Sequence, residues 1–299
     1  MTVGSEMNVK SAAALGIFDG VHLGHRAVIN RAVEIACING VIPAVFTFDT
    51  ATVTSKGRTD HLFPTGIKHS VITELGAEKI LSMPFESLKN YTAEEFVREI
   101  LCGELNAAYA VCGEDFRFGR NASGNTDTLK ELGKKYGFEV DIVPAVKDEN
   151  GHRVSSTFIR KLLAEGDIRE ANRLLGSPYS FKLKVENGFR IGRTLNFPTV
   201  NQYFEKGQAP LCYGVYASRA EYGGKSYPAV TNIGMKPTVA NTDVPLAETH
   251  IIGFEGDIYG EEVKISLLAF LRPEIKFDCI DDLKRQIALD VRAALETEF

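Results

Sequence analysis

No two of the five cysteines, Cys37, Cys102, Cys112, Cys212 and Cys279, stand at Cys-x-x-Cys spacing. That excludes the usual signatures of a zinc site and of a dithiol redox motif, and scattered single thiols fit a reducing cytosol. Positive charge is not in excess: 34 Lys and Arg face 39 Asp and Glu, a net charge of −5. A general nucleic-acid surface is normally basic, so that partner is disfavoured. No apolar run reaches the roughly 18 residues of a membrane span, and the N-terminus lacks a signal-peptide pattern. Repeats and low-complexity segments are absent as well. What remains is the profile of a soluble, cytoplasmic protein with no membrane partner. Its 299 residues, 44% of them apolar, suffice for one or two domains with a sizeable core. The composition fixes no oligomeric state.

The most informative stretch lies near the start: Gly16-Ile-Phe-Asp-Gly-Val-His-Leu-Gly-His25. An apolar run, Ala12 to Ile17, leads into it and a helical pattern follows. It reads as a strand-to-helix turn whose open helix end offers N–H groups to an anion. Gly16, Gly20 and Gly24 remove side chains where a phosphate would approach the backbone. His22 and His25 are three apart, so a helix opening here puts both rings on one face. Two imidazoles beside a helix N-terminus suit a phosphorus centre that gains negative charge. The plainer alternative is one His capping the turn and the other lying on the surface. Two histidines directly after a Gly-x-Phe-Asp-Gly turn weigh against it.

Downstream, strands and helices alternate. The helix after His25 carries Val28, Ala32, Ile35 and Ala36 on one face and stops at Asn39-Gly40. Val41 to Phe48 is nearly all apolar, as a parallel strand buried on both faces should be. Ala51 to Phe63 reads as a mobile polar loop. Ile67 to Leu75 is helical and Lys79 to Met83 a short strand. Thr92-Ala-Glu-Glu95 is a capping box for a helix that buries Phe96, Ile100 and Leu101. Ala107 to Cys112 is a strand that runs into the loop Gly113-Glu-Asp-Phe-Arg-Phe-Gly119. Asp127 to Tyr136 is a helix stopped by Gly137, and Phe138 to Val146 a strand. The alternation predicts an α/β doubly wound sheet with ligands beyond its strands' C-terminal ends. Val154-Ser-Ser-Thr-Phe-Ile-Arg160 then opens a helix that Ser155 or Ser156 can cap. Hydroxyls, helix end and Arg160 together suit a triphosphate; alone, an ordinary capped helix with a solvated Arg explains them as well. Asp167 and Gly176 bracket one more helix.

After Gly176-Ser-Pro178 the period changes. Phe181 to Val185 alternates strictly, Val215 to Tyr222 and Lys225 onward flank Gly223-Gly224 as a hairpin, and Glu248 to Phe254 and Val263 to Leu271 are further strands. Asp281 to Glu296 is an amphipathic helix with Leu283, Ile287, Val291, Ala294 and Leu295 as its apolar side. This predicts a small antiparallel β-barrel with a C-terminal helix, residues 179–299, after a first domain of residues 1–178. In Gly192-Arg-Thr-Leu-Asn-Phe-Pro-Thr-Val-Asn201, an extended run would put Thr199 and Asn201 on one face, where two neutral oxygens suit a Mg²⁺ held mainly by phosphates and water. Gly188 and Gly192 would let the backbone close over those phosphates. An ordinary turn before a strand is the alternative. Glu248 is acidic in a mostly apolar strand; it suits a base that takes a hydroxyl proton, or equally an ion pair at the barrel rim.

Eight ordered matches resemble the bifunctional riboflavin kinase/FAD synthetase family of bacteria. They are Gly16–His25, Gly113–Gly119, Ser155–Arg160, Gly192–Asn201, Gly214–Ala217, Asn232–Thr238, Glu248–His250 and Tyr259–Gly260. The resemblance implies an FMN adenylyltransferase domain that makes FAD from FMN and ATP, followed by a barrel that makes FMN from riboflavin and ATP. It implies ATP-handling roles for Gly16, Phe18, Asp19, Gly20, His22, His25, Ser155, Ser156, Thr157 and Arg160. It implies flavin contacts at Asp115 and Phe116, and nucleotide or flavin contacts at Gly188, Gly192, Arg193 and Pro198. Thr199 and Asn201 would hold Mg²⁺, and Glu248 would be the base. Asp49-Thr-Ala-Thr-Val-Thr54 lacks the prolines that such enzymes carry here, which predicts weaker FMN binding. Asn187 and Asn196 replace a common His and a common Gly. Two other readings stay open on residues alone: a riboflavin kinase with a weak or inactive first domain, and a non-catalytic flavin-binding regulator.

Overall fold

The computed structural model describes residues 9–50, 60–186, 197–204, 207–235 and 245–298. Contacts divide the chain into two compact units, Met1–Ser155 and Ser156–Phe299.

The first unit is a five-stranded parallel sheet in the order β3-β2-β1-β4-β5. The strands are β1 (Ser11–Leu15), β2 (Ile42–Phe48), β3 (Lys79–Met83), β4 (Ala107–Gly113) and β5 (Glu139–Val143). β1 is buried from end to end, which its run of three alanines permits between two helical layers. Helix α1 (Leu23–Asn39) joins β1 to β2 and buries Val28, Ile29, Ala32, Ile35 and Ala36. Gly40 ends it in the left-handed conformation at φ 64°, a geometry that costs glycine little. α2 (Thr65–Glu74) and α3 (Phe85–Leu88) flank β3. The capping box at Thr92–Glu95 is formed in full and opens α4 (Ala93–Glu95). Its continuation, Phe96–Glu104, is π-helical rather than α-helical, yet still buries Phe96, Ile100 and Leu101. α5 (Thr126–Tyr136) stops at Gly137, φ 82°. Two apolar clusters, one on each side of the sheet, form the core: Phe46, Phe96, Leu101 and Leu129 in one, Ile29, Ala32, Val45 and Ile72 in the other.

Two expectations need correction here. β5 ends at Val143, because the chain then turns into a hairpin closed by the Lys147–Arg153 bridge. Within the polar segment before α2, Leu62 and Phe63 are buried, so its end belongs to the core. Residues 51–59, including the segment without prolines, lie outside the described residues.

The second unit begins with α6 (Ser156–Glu165) and α7 (Ile168–Leu175). Asp167 caps α7 by accepting from the Glu170 N–H at 3.3 Å. A six-stranded antiparallel sheet follows, in the order β6-β11-β8-β9-β10-β7. Its strands are β6 (Tyr179–Lys184), β7 (Val200–Tyr203), β8 (Gly214–Tyr222), β9 (Lys225–Met235), β10 (Pro245–Ile251) and β11 (Glu262–Arg272). The outermost strands curl toward each other. The Glu186 N–H donates to Asn201 O at 2.8 Å, and the buried Gln202 side chain donates to Leu183 O at 2.7 Å and Val263 O at 2.9 Å. Hydroxyls of Ser218, Thr231 and Thr249 form a buried ladder across β8, β9 and β10, at 2.7 and 2.9 Å. Helix α8 (Ile280–Glu296) packs on β8 and β9. Its apolar side needs correcting too: Leu295 is 57% exposed, and Asp290 is buried instead, with its carboxylate on the Arg272 guanidinium at 2.7 Å.

Candidate active sites

In the first unit, chemistry gathers where β1 hands over to α1. The turn is held by unusual backbone: Phe18 and Val21 have φ of 50° and 42°, left-handed values that branched and bulky residues avoid. Packing holds them there. Phe18 is 1% exposed, and its ring would lie 2.8 Å from a Cβ at Gly16, so Gly16 makes room for a ring inside the turn itself. Gly24 does the same for His22, whose ring would sit 3.2 Å from an added Cβ. Asp19 accepts from the Leu62 N–H at 2.7 Å, and Arg26 donates to Val21 O at 3.1 Å. Gly20 has φ 80°.

His22 is the N-cap of α1, its Nδ1 accepting from the His25 N–H at 3.4 Å. The His25 ring stacks on it, 3.6 Å between centroids and 18° from parallel, and meets Phe18 edge-on at 5.4 Å. Burial draws the His22 pKa down to about 4, although its own backbone hydrogen bond opposes this. Burial, then the charges of His22, Lys68 and Arg153, hold His25 well below the ordinary imidazole value. Both rings are therefore neutral near pH 7 and act as hydrogen-bonding groups, not as cations. Among the described residues, the buried Nδ1 of His25 has no hydrogen-bond partner.

The loop after β4 places Asp115 at the rim, paired with Arg153 at 2.7 Å, and stacks Phe116 on Phe118 at 5.5 Å. Arg153 comes from the hairpin after β5. The sequence reading missed it, as it missed Lys68, which is buried in α2. Ser155 closes the first unit; Ser156, Thr157 and Arg160 lie on the first turns of α6.

In the second unit, antiparallel register brings together residues far apart in sequence. Glu248 on β10 pairs with Asn201 on β7 and with Asn232 on β9, so the three share one face of the barrel wall. The Asn201 side chain is buried, and its Oδ1 has no hydrogen-bond partner among the described residues. Glu248 is half-buried. Asn232 donates to Glu274 at 3.2 Å, and that carboxylate lies against Gly234, where an added Cβ would collide with it. Thr199 and Pro198 line a groove together with Val185, Ile251, Asp257 and Tyr259. The Pro198 carbonyl accepts from His250 Nδ1 at 2.8 Å, which leaves His250 Nε2 toward other partners. Gly188, Gly192 and Arg193, with Asn187 and Asn196, lie outside the described residues.

Known proteins resemble this chain along nearly its whole length. The FAD synthetase family matches residues 5–158 and the riboflavin kinase family residues 175–297. A Bacillus subtilis bifunctional riboflavin kinase/FMN adenylyltransferase is 36% identical over 97% of this chain and 93% of its own. The enzyme of the same name from Buchnera aphidicola (Schizaphis graminum) is 34% identical over 96% and 93%. A crystal structure from Streptococcus pneumoniae, described as a macrolide-efflux protein, superposes with a TM-score of 0.84 at 28% identity, over 97% of this chain and 95% of that one. No helix among the described residues here is long and apolar enough to cross a membrane. With relatives of this identity spanning nearly its whole length, the chain belongs to the bifunctional riboflavin kinase/FMN adenylyltransferase family.

Proposed function

We propose that this chain carries out both reactions of its family, each with the residues of its own domain: FMN adenylylation in residues 1–178 and riboflavin phosphorylation in residues 179–299. The observation that carries this is the coincidence of two family matches with two separate chemical sets, the His22–His25 turn in one and the Asn201–Glu248–Asn232 row in the other.

In adenylylation, a phosphate oxygen of FMN attacks the α-phosphorus of ATP and the bond to pyrophosphate breaks. The neutral rings of His22 and His25 donate hydrogen bonds to oxygens that gain charge, beside the N-terminal end of α1. Ser155, Ser156, Thr157 and Arg160 hold the triphosphate, Gly16, Phe18, Asp19 and Gly20 form the turn it approaches, and Asp115 and Phe116 contact the flavin.

In phosphorylation, the terminal ribityl hydroxyl attacks the γ-phosphorus, ADP leaves, and Glu248 takes the hydroxyl proton. Gly188, Gly192, Arg193 and Pro198 serve the nucleotide and flavin. The residues fit Mg²⁺: Asn201 Oδ1 is buried and unpartnered, beside a carboxylate, and with Thr199 it offers neutral oxygen to a hard cation. Bound there, the ion would neutralise charge on the ATP phosphates. A cytoplasmic location is supported by the five thiols, all free.

The test is chromatography of riboflavin, FMN and FAD over time with the purified chain and Mg-ATP. Appearance of FMN and then FAD is expected; FMN without FAD would favour a kinase with a silent first domain.

A further inference from the structure

Lys68 is a lysine with 1% of its surface exposed. Its Nζ donates to Thr47 Oγ1 at 3.1 Å, to Ile17 O at 3.5 Å and to Phe48 O. The Thr47 hydroxyl donates to the same Ile17 carbonyl at 2.8 Å. One ammonium thus ties the end of β2 to the turn between Gly16 and Gly20. Burying a charge is costly unless it is well partnered, and an apolar side chain of similar volume would join α2 to β2 at lower cost. The charge therefore calls for a task beyond packing. Two carboxylates face it, Asp19 from the turn and Asp49 just after β2, and both favour its charged form. Two imidazoles feel it, His25 on α1 and His69 beside it on α2, and both are held toward neutrality.

We propose that Lys68 is a positioning residue for adenylyl transfer, locking the Gly16–Gly20 turn against the end of β2 and keeping a fixed positive charge beneath the oxygens that the histidines bind. The inference rests on adenylyl transfer taking place at that turn. Burial lowers the Lys68 pKa to about 8, so the charge is held at neutral pH and lost as pH rises through that value.

The test uses the full chain and measures FAD formation from FMN from about pH 6.5 to about pH 9.5, with thermal unfolding of each variant. Lys68→Met should lower kcat roughly tenfold or more while leaving the KM for FMN near that of the parent. Lys68→Arg, which keeps its charge, should move the alkaline fall in kcat to higher pH. Thr47→Val, close in shape, removes a partner of the charged form and should move that fall to lower pH. A folded Lys68→Met with the parent's kcat overturns the proposal, and so does an alkaline fall that neither Lys68→Arg nor Thr47→Val moves. If the Lys68 variants do not fold, the Thr47→Val profile decides. His25→Ala, assayed in parallel, separates the two levels. If it too makes FAD normally, the site assignment fails; if it is silent while the Lys68 and Thr47 variants match the parent, Lys68 has no part in the reaction.

Discussion

The His22 and His25 rings lie face to face, 3.6 Å apart, at the point where β1 becomes α1. Burial is the main reason that both rings resist charging, and for His25 the neighbouring His22 adds to it. Neutral rings at a helix N-terminus can donate to phosphate oxygens without first losing a bound counter-ion.

This arrangement has a pH signature in stability. The His22 pKa is about 4 when folded and near its ordinary 6.5 when unfolded. A histidine held neutral contributes its full stability above 6.5, and that contribution is lost as pH falls toward 4 because the unfolded chain takes up the proton first. The loss for His22 alone approaches about 3 kcal/mol. Unfolding of the parent and of His22→Asn, which keeps a capping side chain, should be compared between about pH 7 and about pH 4.5. The parent should lose stability more steeply. Equal slopes would mean that the ring is not held neutral.

Asp290 offers a stability test in the second unit. It is 4% exposed, accepts from Arg272 Nε at 3.0 Å and Nη2 at 2.7 Å, and also from Gln286 at 3.0 Å. Asp290→Ala strands a mostly buried guanidinium and should cost about 3–5 kcal/mol. Glu296→Ala, which removes an exposed partner of Arg292, should cost less than about 1 kcal/mol. Denaturant midpoints of the two variants measure the contrast; similar shifts would mean that the Arg272–Asp290 pair is no stronger than a surface pair.

Features encoded by neighbours in sequence were legible in advance. The Thr92–Glu95 box, the glycine stops at Gly40, Gly137 and Gly176, and the alternation of β6 depend on a few adjacent residues, and each is found in the structure. The paired histidines were legible for the same reason. Residues whose roles come from distant partners were not. A lysine on a short helix reads as surface, and what buries Lys68 is the arrival of Ile17, Thr47 and Phe48 from two other elements. Asp290 sat on what looked like a polar helix face until Arg272 of β11 came to meet it. Glu248 could be singled out by its charge, but its alignment with Asn201 and Asn232 is a matter of register across three strands.

The central claim is that two chemistries run in two separate residue sets, and a reciprocal pair of variants tests it directly. Glu248→Gln keeps size and removes basicity, and loss of a positioned base typically costs roughly 10²–10⁴ in rate. His25→Ala removes a group that stabilises charge, worth about 10²-fold or more. FMN from riboflavin and FAD from supplied FMN should be measured on the same preparation of each. Glu248→Gln should lose riboflavin phosphorylation and keep FAD formation from FMN, while His25→Ala should do the reverse. Loss of both activities in either folded variant, or retention of the targeted activity in both, would contradict the account.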